Sequence, residues 1–91
     1  MSAVSRTVRI VNARGLHARA SAKLVKVASA FDAEIEVVKD GQAVDARSIM
    51  GLLMLGAGIG SDVEVRATGD EAEPALEAVV ALIEARFDEE S

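Results

Sequence analysis

Residues 33–46 read AEIEVVKDGQAVDA and contain the pattern that decides the fold. Within Ala33–Val38, apolar side chains at the odd positions alternate with two glutamates, which is the two-residue period of a half-buried strand. Asp40 and Gly41 follow, a pair typical of a tight hairpin turn, and Ala43–Ala46 is predicted to return as a short strand. Because so short a turn can join only antiparallel strands, the stretch predicts an antiparallel sheet.

Similar patterns on both sides of this hairpin extend the sheet and add helices. The alternating segments Arg6–Val11 and Val63–Thr68 predict the first and the fourth strand. Ser48–Leu55 predicts a short helix that Gly56 closes. A longer helix is predicted from residue 18, where apolar residues begin to recur at helical spacing, namely Ala20, Leu24, Val27, Ala28 and Phe31.

The last helix is indicated by its start and by its apolar face. Asp70 and Glu73 have the spacing of a capping box, with Pro74 in the first turn, and the acidic tail Asp88–Ser91 is expected to fray. The order β-α-β-β-α-β-α predicts a single α+β domain over residues 1–91. Its helices pack on one face of a four-stranded antiparallel sheet, and water covers the other. The apolar face of the last helix is Leu76, Val79, Val80, Ile83 and Phe87.

Composition excludes several classes of protein. The 91 residues contain no cysteine, which removes disulfides, thiol catalysis and thiolate metal sites.

We expect a cytoplasmic location, because this composition fits a reducing compartment and residues 1–12 hold no apolar run like a signal peptide. The longest apolar stretch, Ile49–Gly60, is shorter than the ~20 residues that cross a bilayer, so no membrane insertion is expected. A net charge of −5 and two aromatic residues argue against nucleic acid binding, including an RNA-binding α+β domain.

Charge is distributed unevenly along the chain, and the one histidine lies in the positive half. Residues 1–31 have six basic and no acidic side chains, whereas residues 32–91 have four basic and fifteen acidic ones, so the two parts carry +6 and −11. The segregation is either a chance feature of a solvated surface or a positive face for an anion or an acidic partner. The surroundings of His17 favour the second interpretation.

The segment Gly15-Leu16-His17-Ala18-Arg19 places that histidine where a loop becomes a helix. Residues 16–18 include none of the usual capping residues. The first backbone N–H groups, including those of Ala18 and Arg19, are therefore predicted to lack a side-chain acceptor and to bind an anion. The Arg19 guanidinium adds a fork suited to phosphate oxygens. Imidazole is mostly neutral at cytoplasmic pH, and its free nitrogen can attack a phosphoryl group without a separate base.

Other interpretations of His17 are open from the residues alone. A single loop histidine is as commonly a surface or partly packed residue as a functional one. Since there is no second histidine and no cysteine, no metal site is expected. A serine hydrolase is disfavoured because no G-x-S-x-G pattern occurs, and no cofactor is expected.

The second helix combines a capping serine with an excess of apolar residues. Ser48 lies at the expected N-cap position, where serine is well suited to bind a backbone N–H. The helix is too short to bury every apolar side chain, so it forms either a loosely covered core edge or a docking patch in which methionine adapts to several partners. The side chains concerned are Ile49, Met50, Leu53 and Met54.

The segments Gly15–Arg19 and Arg47–Gly51, GLHAR and RSIMG, together resemble the HPr family. These are the phosphocarrier proteins of the bacterial phosphoenolpyruvate-dependent phosphotransferase system, and the likeness covers nearly the whole chain. It implies an open-faced β-sandwich. It also implies that enzyme I, itself phosphorylated from phosphoenolpyruvate, phosphorylates His17 on Nδ1 with the help of Arg19. The phosphoryl group then passes to an EIIA-type domain, so the protein is a carrier and not an enzyme.

The resemblance also implies roles for the second segment. Ser48 matches the regulatory serine that an HPr kinase/phosphorylase modifies in some lineages. An apolar surface near the histidine is implied to dock partners, and the residues expected to form it are Leu16, Ile49, Met50 and Leu53.

The sequence departs from the usual family pattern at the two positions that follow the first segment. Ala20 and Ser21 stand where the family usually has proline and alanine, which indicates a subtype such as the nitrogen-related branch and a small effect on the helix.

The competing function is a regulatory binding module that docks partners through the Ser48 helix while His17 is idle. A monomer is expected, because a carrier must dock with successive partners.

Overall fold

The computed structural model describes residues 3–91, so the first two residues of the predicted domain lie outside it. The described part contains four strands and three helices in the predicted order. A C-terminal turn, Arg86–Asp88, follows the last helix. The elements are β1 (Val4–Arg9), α1 (Ala18–Ala28), β2 (Glu34–Lys39), β3 (Gln42–Asp45), α2 (Ile49–Met54), β4 (Asp62–Thr68) and α3 (Ala72–Glu84).

The four strands form one antiparallel sheet in the order β1-β4-β2-β3. The predicted hairpin is confirmed, with Lys39 opposite Gln42 at its closed end. Asp40 and Gly41 form the turn with φ of 51° and 81°, as a two-residue loop that matches the strand twist requires. Strand β4 lies between β1 and β2, so the last strand is paired along both of its edges.

The core lies between one face of the sheet and the helices. In β2, Ile35 and Val37 are buried while Glu34 and Glu36 are exposed, and β4 alternates in the same way. Helix α3 packs on β1, β4 and β2, and α1 packs on α2 and α3. The α+β prediction, with helices on one face and a polar opposite face, is confirmed.

Some predicted details of the helices are wrong. Helix α1 ends at Ala28, so half-buried Phe31 follows it in a turn and does not continue its apolar stripe. The capping box is not formed within residues 3–91, because the N-cap of α3 is Glu71, one residue after the predicted one. The Glu71 carboxylate instead accepts a hydrogen bond from the Asp32 N–H at 2.7 Å. This contact fastens the start of α3 to the loop before β2.

Phe87 was predicted to lie on the last helix but belongs to the C-terminal turn. Helix α3 ends at Glu84, and Phe87 has φ 53° and ψ 32°, a left-handed conformation. Its side chain is nevertheless fully buried. The residue therefore contributes to the core as predicted, but from a segment that also redirects the chain. Within residues 3–91, no helix has the length and apolarity needed to cross a membrane.

Candidate functional site

His17 is the N-cap of α1, and its own side chain performs the capping. With φ −79° and ψ −177° the residue is extended, and its Nδ1 accepts a hydrogen bond from the Arg19 N–H at 3.3 Å. The prediction that the first N–H groups lack a side-chain acceptor is therefore wrong for Arg19. The interaction nevertheless aims Nδ1 at the positive end of the helix, where an anion is stabilised.

The loop before His17 is fixed by a close approach between two segments of backbone. Gly15 has φ 66°, and a Cβ on it would lie 2.6 Å from the Ala57 carbonyl oxygen. The next residue, Leu16, donates its N–H to the same oxygen at 2.8 Å. This contact joins the histidine loop to the segment that follows α2, so it places His17 beside that end of α2.

The other imidazole nitrogen meets a carboxylate from the C-terminal tail. Nε2 of His17 forms a hydrogen bond with Oε2 of Glu89. The second oxygen of Glu89 accepts from Nδ2 of Asn12 at 3.0 Å, and Asn12 is completely buried. The expectation that residues 88–91 fray is therefore wrong for Glu89, whose carboxylate forms both of these hydrogen bonds.

These two hydrogen bonds determine which nitrogen of His17 carries the proton. A carboxylate accepts, so Nε2 must donate to Glu89, and a backbone N–H donates, so Nδ1 must accept from Arg19. The neutral ring therefore has its proton on Nε2 and its lone pair on Nδ1. The nucleophilic nitrogen is consequently the one that faces the start of α1.

The Glu89 carboxylate is itself stabilised in its charged form. The hydrogen bond from Asn12 lowers the pKa of Glu89 most, followed by the hydrogen bond from His17, with Arg14 adding a favourable charge. Loss of solvation acts in the opposite direction but does not prevail. The tail thus presents a carboxylate, and not a carboxylic acid, to the imidazole.

Basic side chains and the acidic tail line a groove in this part of the molecule. A groove of about 260 Å³ is lined by Arg14, Arg19 and Lys23 and by the tail residues 88–91. In the part of the chain that the structure describes, neither Arg14 nor Arg19 forms an ion pair. Neither guanidinium is therefore committed to a carboxylate of residues 3–91 within 4.0 Å, and each keeps the fork of donors that suits phosphate oxygens.

The two departures from the family pattern are accommodated in the interior of the site. Ala20 and Ser21 are both buried. The Ser21 hydroxyl donates to the Leu16 carbonyl oxygen at 3.3 Å. Serine at this position therefore fastens the histidine loop to the first turn of α1.

Ser48 caps α2 as predicted. Its Oγ accepts a hydrogen bond from the Gly51 N–H at 3.0 Å. A Cβ on Gly51 would lie 3.1 Å from Cβ of Val44, so α2 packs closely on β3 at this point. The structural role of Ser48 is confirmed.

The apolar patch, defined as Ile49, Met50, Leu53 and Met54, is exposed on α2. Met50 and Met54 are 68% and 69% exposed, which confirms that the helix does not bury all its apolar side chains. Leu16, in contrast, is 6% exposed. Its expected role in docking does not fit this burial, because its side chain belongs to the core.

Three residues of this region were missed by the sequence analysis. Glu89 contacts His17 from the far end of the chain, and buried Asn12 donates a hydrogen bond to Glu89. The third residue, Ile59, is 62% exposed in the loop after α2. The excess of acidic residues in the tail, opposite the positive charge of residues 1–31, was a usable indication for Glu89. Residues 3–91 contain no group of three side chains placed to hold a metal ion.

Fold and site together define a class of small α+β proteins that present one histidine at the N-terminus of a helix. The family model PTS-HPr, described as the PTS HPr component phosphorylation site, matches residues 4–85. The chain belongs to this HPr family of phosphocarrier proteins of the phosphotransferase system.

Relatives and a solved structure agree with this assignment. The phosphocarrier protein NPr of Shewanella violacea is 46% identical over 91 residues, covering 100% of both chains. The phosphocarrier protein HPr of Cupriavidus necator is 46% identical over 86 residues, covering 94% of this chain and 97% of its own. A crystal structure of HPr-C-His from Thermoanaerobacter tengcongensis has a TM-score of 0.91 at 46% identity and covers both chains completely.

Proposed function

We propose that this protein accepts a phosphoryl group from enzyme I on Nδ1 of His17 and passes it to an EIIA-type protein. The observation that carries the proposal is the pair of hydrogen bonds on the imidazole, which leaves the lone pair on Nδ1. That nitrogen lies at the N-terminus of α1, and Glu89, the hydrogen-bond partner of the ring, lines one groove together with Arg14 and Arg19. The protein acts as a carrier in this reaction and forms a covalent intermediate of the relay.

The chemistry requires little beyond positioning and charge. Nδ1 attacks phosphorus as the bond to the donor's leaving group breaks, and the oxygens of the arriving group take over from Nδ1 as acceptors for the Arg19 N–H and also accept from the Ala18 N–H. The helix dipole and the Arg19 guanidinium stabilise the negative charge of those oxygens. Because the same interactions stabilise the transition state of the reverse step, they support donation as well as acceptance.

Docking is assigned to the apolar patch on α2. Ile49, Met50 and Leu53 are exposed, and the segment after α2 is hydrogen-bonded to the histidine loop. An apolar surface next to a basic site suits partners that have an apolar groove with an acidic rim. Flexible methionine side chains allow one surface to fit both donor and acceptor.

Ser48 is proposed as a regulatory site where an HPr kinase/phosphorylase is present. Its hydroxyl borders the apolar patch, since Ile49 and Met50 follow it directly. A phosphate there adds about two negative charges beside the docking surface. The modification would therefore change which partners bind without touching His17.

A regulatory binding module is the alternative function, and the exposed apolar patch is the observation that favours it. Under this alternative His17→Ala leaves partner binding and its cellular effect intact. Under the carrier function the same variant abolishes transfer. Monomeric behaviour, expected for the carrier, is checked by the mass of the protein in solution.

Intact-mass spectrometry at neutral pH tests the proposal. The protein is incubated with phosphoenolpyruvate and enzyme I, and then with EIIA proteins of the sugar and the nitrogen type, beside His17→Ala. The expected result is a gain of one phosphate that acid removes, absent in His17→Ala, and transferred to an EIIA protein. The NPr relative and the HPr relative are equally identical to this chain, so sequence identity does not distinguish the nitrogen-related branch from the sugar branch. The type of EIIA protein that accepts the phosphoryl group identifies the branch. No gain, while a known carrier is labelled in parallel, would refute the proposal.

A further inference from the structure

The segment after α3 is arranged so that it brings one carboxylate to His17. Arg86, Phe87 and Asp88 have φ of 58°, 53° and 61°, a conformation that L-residues adopt rarely and almost never three times in succession. The turn is held by burial of the Phe87 ring and by Lys23, whose Nζ donates to the Phe87 carbonyl oxygen at 2.7 Å. A strained turn fixed at two points aims the next residue, Glu89, in a defined direction.

The Glu89 carboxylate uses both of its oxygens at the site. Oε1 accepts from Nδ2 of Asn12, and Oε2 accepts from Nε2 of His17. Asn12 is held in turn, because its Nδ2 also donates to the Gly15 carbonyl oxygen at 2.8 Å in the histidine loop. Asn12, Glu89 and His17 thus form a continuous chain of hydrogen bonds.

The pair is partly shielded from water. The His17 and Glu89 side chains are 21% and 14% exposed. An ionic hydrogen bond is stronger and less screened by salt in such surroundings than at a free surface. The geometry is that of a carboxylate that orients a catalytic or metal-binding histidine and stabilises its charged form.

We propose that Glu89 is a positioning residue for phosphoryl transfer, which keeps the proton on Nε2 and stabilises the positive charge that the ring gains. The inference rests on the proposed function of His17. It assigns the tail an active role in the reaction and not one of merely covering the site.

The charge follows from the balance of the step. The Nδ1 lone pair forms the bond to phosphorus, while the bond between phosphorus and the donor's leaving group breaks and its electron pair stays with the leaving group. The proton on Nε2 does not leave. The phosphorylated ring is therefore an imidazolium-like cation, and the Glu89 carboxylate faces the N–H that carries much of this charge.

The test compares Glu89→Gln with Glu84→Gln. Both variants remove one negative charge from the C-terminal part of the chain, but Glu84 is exposed at the end of α3, lies outside the groove lined by Arg14 and Arg19, and does not contact His17 in the described chain. The phosphoryl donors are phosphorylated enzyme I and, separately, phosphoramidate, a small donor that needs no docking. We expect Glu89→Gln to slow phosphorylation of His17 about tenfold with both donors, equivalent to about 1.4 kcal/mol. Glu84→Gln should stay within about twofold of the wild type.

An equal or faster rate for Glu89→Gln than for Glu84→Gln would overturn the proposal, since it would make the Glu89 carboxylate neutral or inhibitory. A second readout is the nitrogen-15 NMR spectrum of the unphosphorylated protein with labelled histidine. The proton is expected on Nε2, with exchange to water that is faster in Glu89→Gln; a proton on Nδ1 would also overturn the proposal. Failure of enzyme I to label the wild type would refute the proposed function, whereas the phosphoramidate comparison and the NMR spectrum would still decide the role of Glu89.

Discussion

Replacing Gly15 by alanine should destabilise the protein well beyond the effect of its backbone conformation alone. Gly15 has φ 66°, and the added Cβ would lie 2.6 Å from the Ala57 carbonyl oxygen and 2.8 Å from Cα of Gly58. Both neighbours are backbone atoms, so no side chain can rotate away. The clash also separates the two segments that the hydrogen bond from Leu16 to Ala57 holds together.

Gly56 provides a matched control for this substitution. It has φ 61°, and no atom lies within 4 Å of the position of an added Cβ. Gly56→Ala should therefore cost only the left-handed conformation, about 1 kcal/mol. Gly15→Ala adds the steric shift and a weakened hydrogen bond, which we place at about 2 kcal/mol more.

Urea denaturation at neutral pH measures both free energies of unfolding. The expected order is wild type, then Gly56→Ala, then Gly15→Ala, with a gap of about 2 kcal/mol between the two variants. Equal loss of stability in the two variants would refute the reasoning. In that case the close approach between the histidine loop and the segment after α2 would have no energetic significance.

Three other perturbations follow from the contacts described. Ser48→Ala removes the cap of α2 and should lower the free energy of unfolding by about 1 kcal/mol in urea denaturation; an unchanged midpoint would contradict the cap. The pKa of Glu89 is lower in the folded state than its ordinary value of 4.5, so its contribution to stability is complete above that value and lost as pH falls through the folded-state pKa. The difference in unfolding free energy between wild type and Glu89→Gln should therefore shrink on acidification, and a difference that is constant from neutral pH to strong acid would count against the ionised contact. Met50→Asp should leave stability within about 0.5 kcal/mol because the side chain is 68% exposed, but should weaken binding of enzyme I about tenfold in titration calorimetry; unchanged affinity would remove Met50 from the docking surface.

The sheet and its hairpin could be predicted from sequence because their determinants are local. The alternation of Ile35 and Val37 with glutamates specifies which face of β2 is buried. Asp40 and Gly41 tolerate the positive φ that a two-residue turn needs. Ser48 likewise predicts the start of α2, because an N-cap residue binds the backbone of the residues that immediately follow it.

The C-terminal turn could not be predicted, because nothing local distinguishes it from the end of a helix. Phe87 follows Ile83 by four residues, so its helical spacing is the same whether or not the helix continues. Three consecutive left-handed residues, none of them glycine, have no sequence signature. Their stability comes from burial of Phe87 and from Lys23, which are tertiary effects.

The candidate site was predictable in its centre and not in its surroundings. GLHAR identified His17 and Arg19 through local chemistry and family resemblance. The contact between His17 and Glu89 joins residues 72 positions apart, and the burial of Asn12 depends on the assembled fold. Long-range partners of this kind leave at most an imbalance of charge in the sequence.

The proposed carrier function depends most directly on which atom bears the phosphoryl group. The decisive measurement is phosphorus and nitrogen NMR of the protein after phosphorylation by enzyme I, with nitrogen-15 in its single histidine. The expected result is a phosphorus signal coupled to Nδ1 of His17, with the proton retained on Nε2. Phosphorus bonded to Nε2, or to the Ser48 hydroxyl in place of the ring, would contradict it.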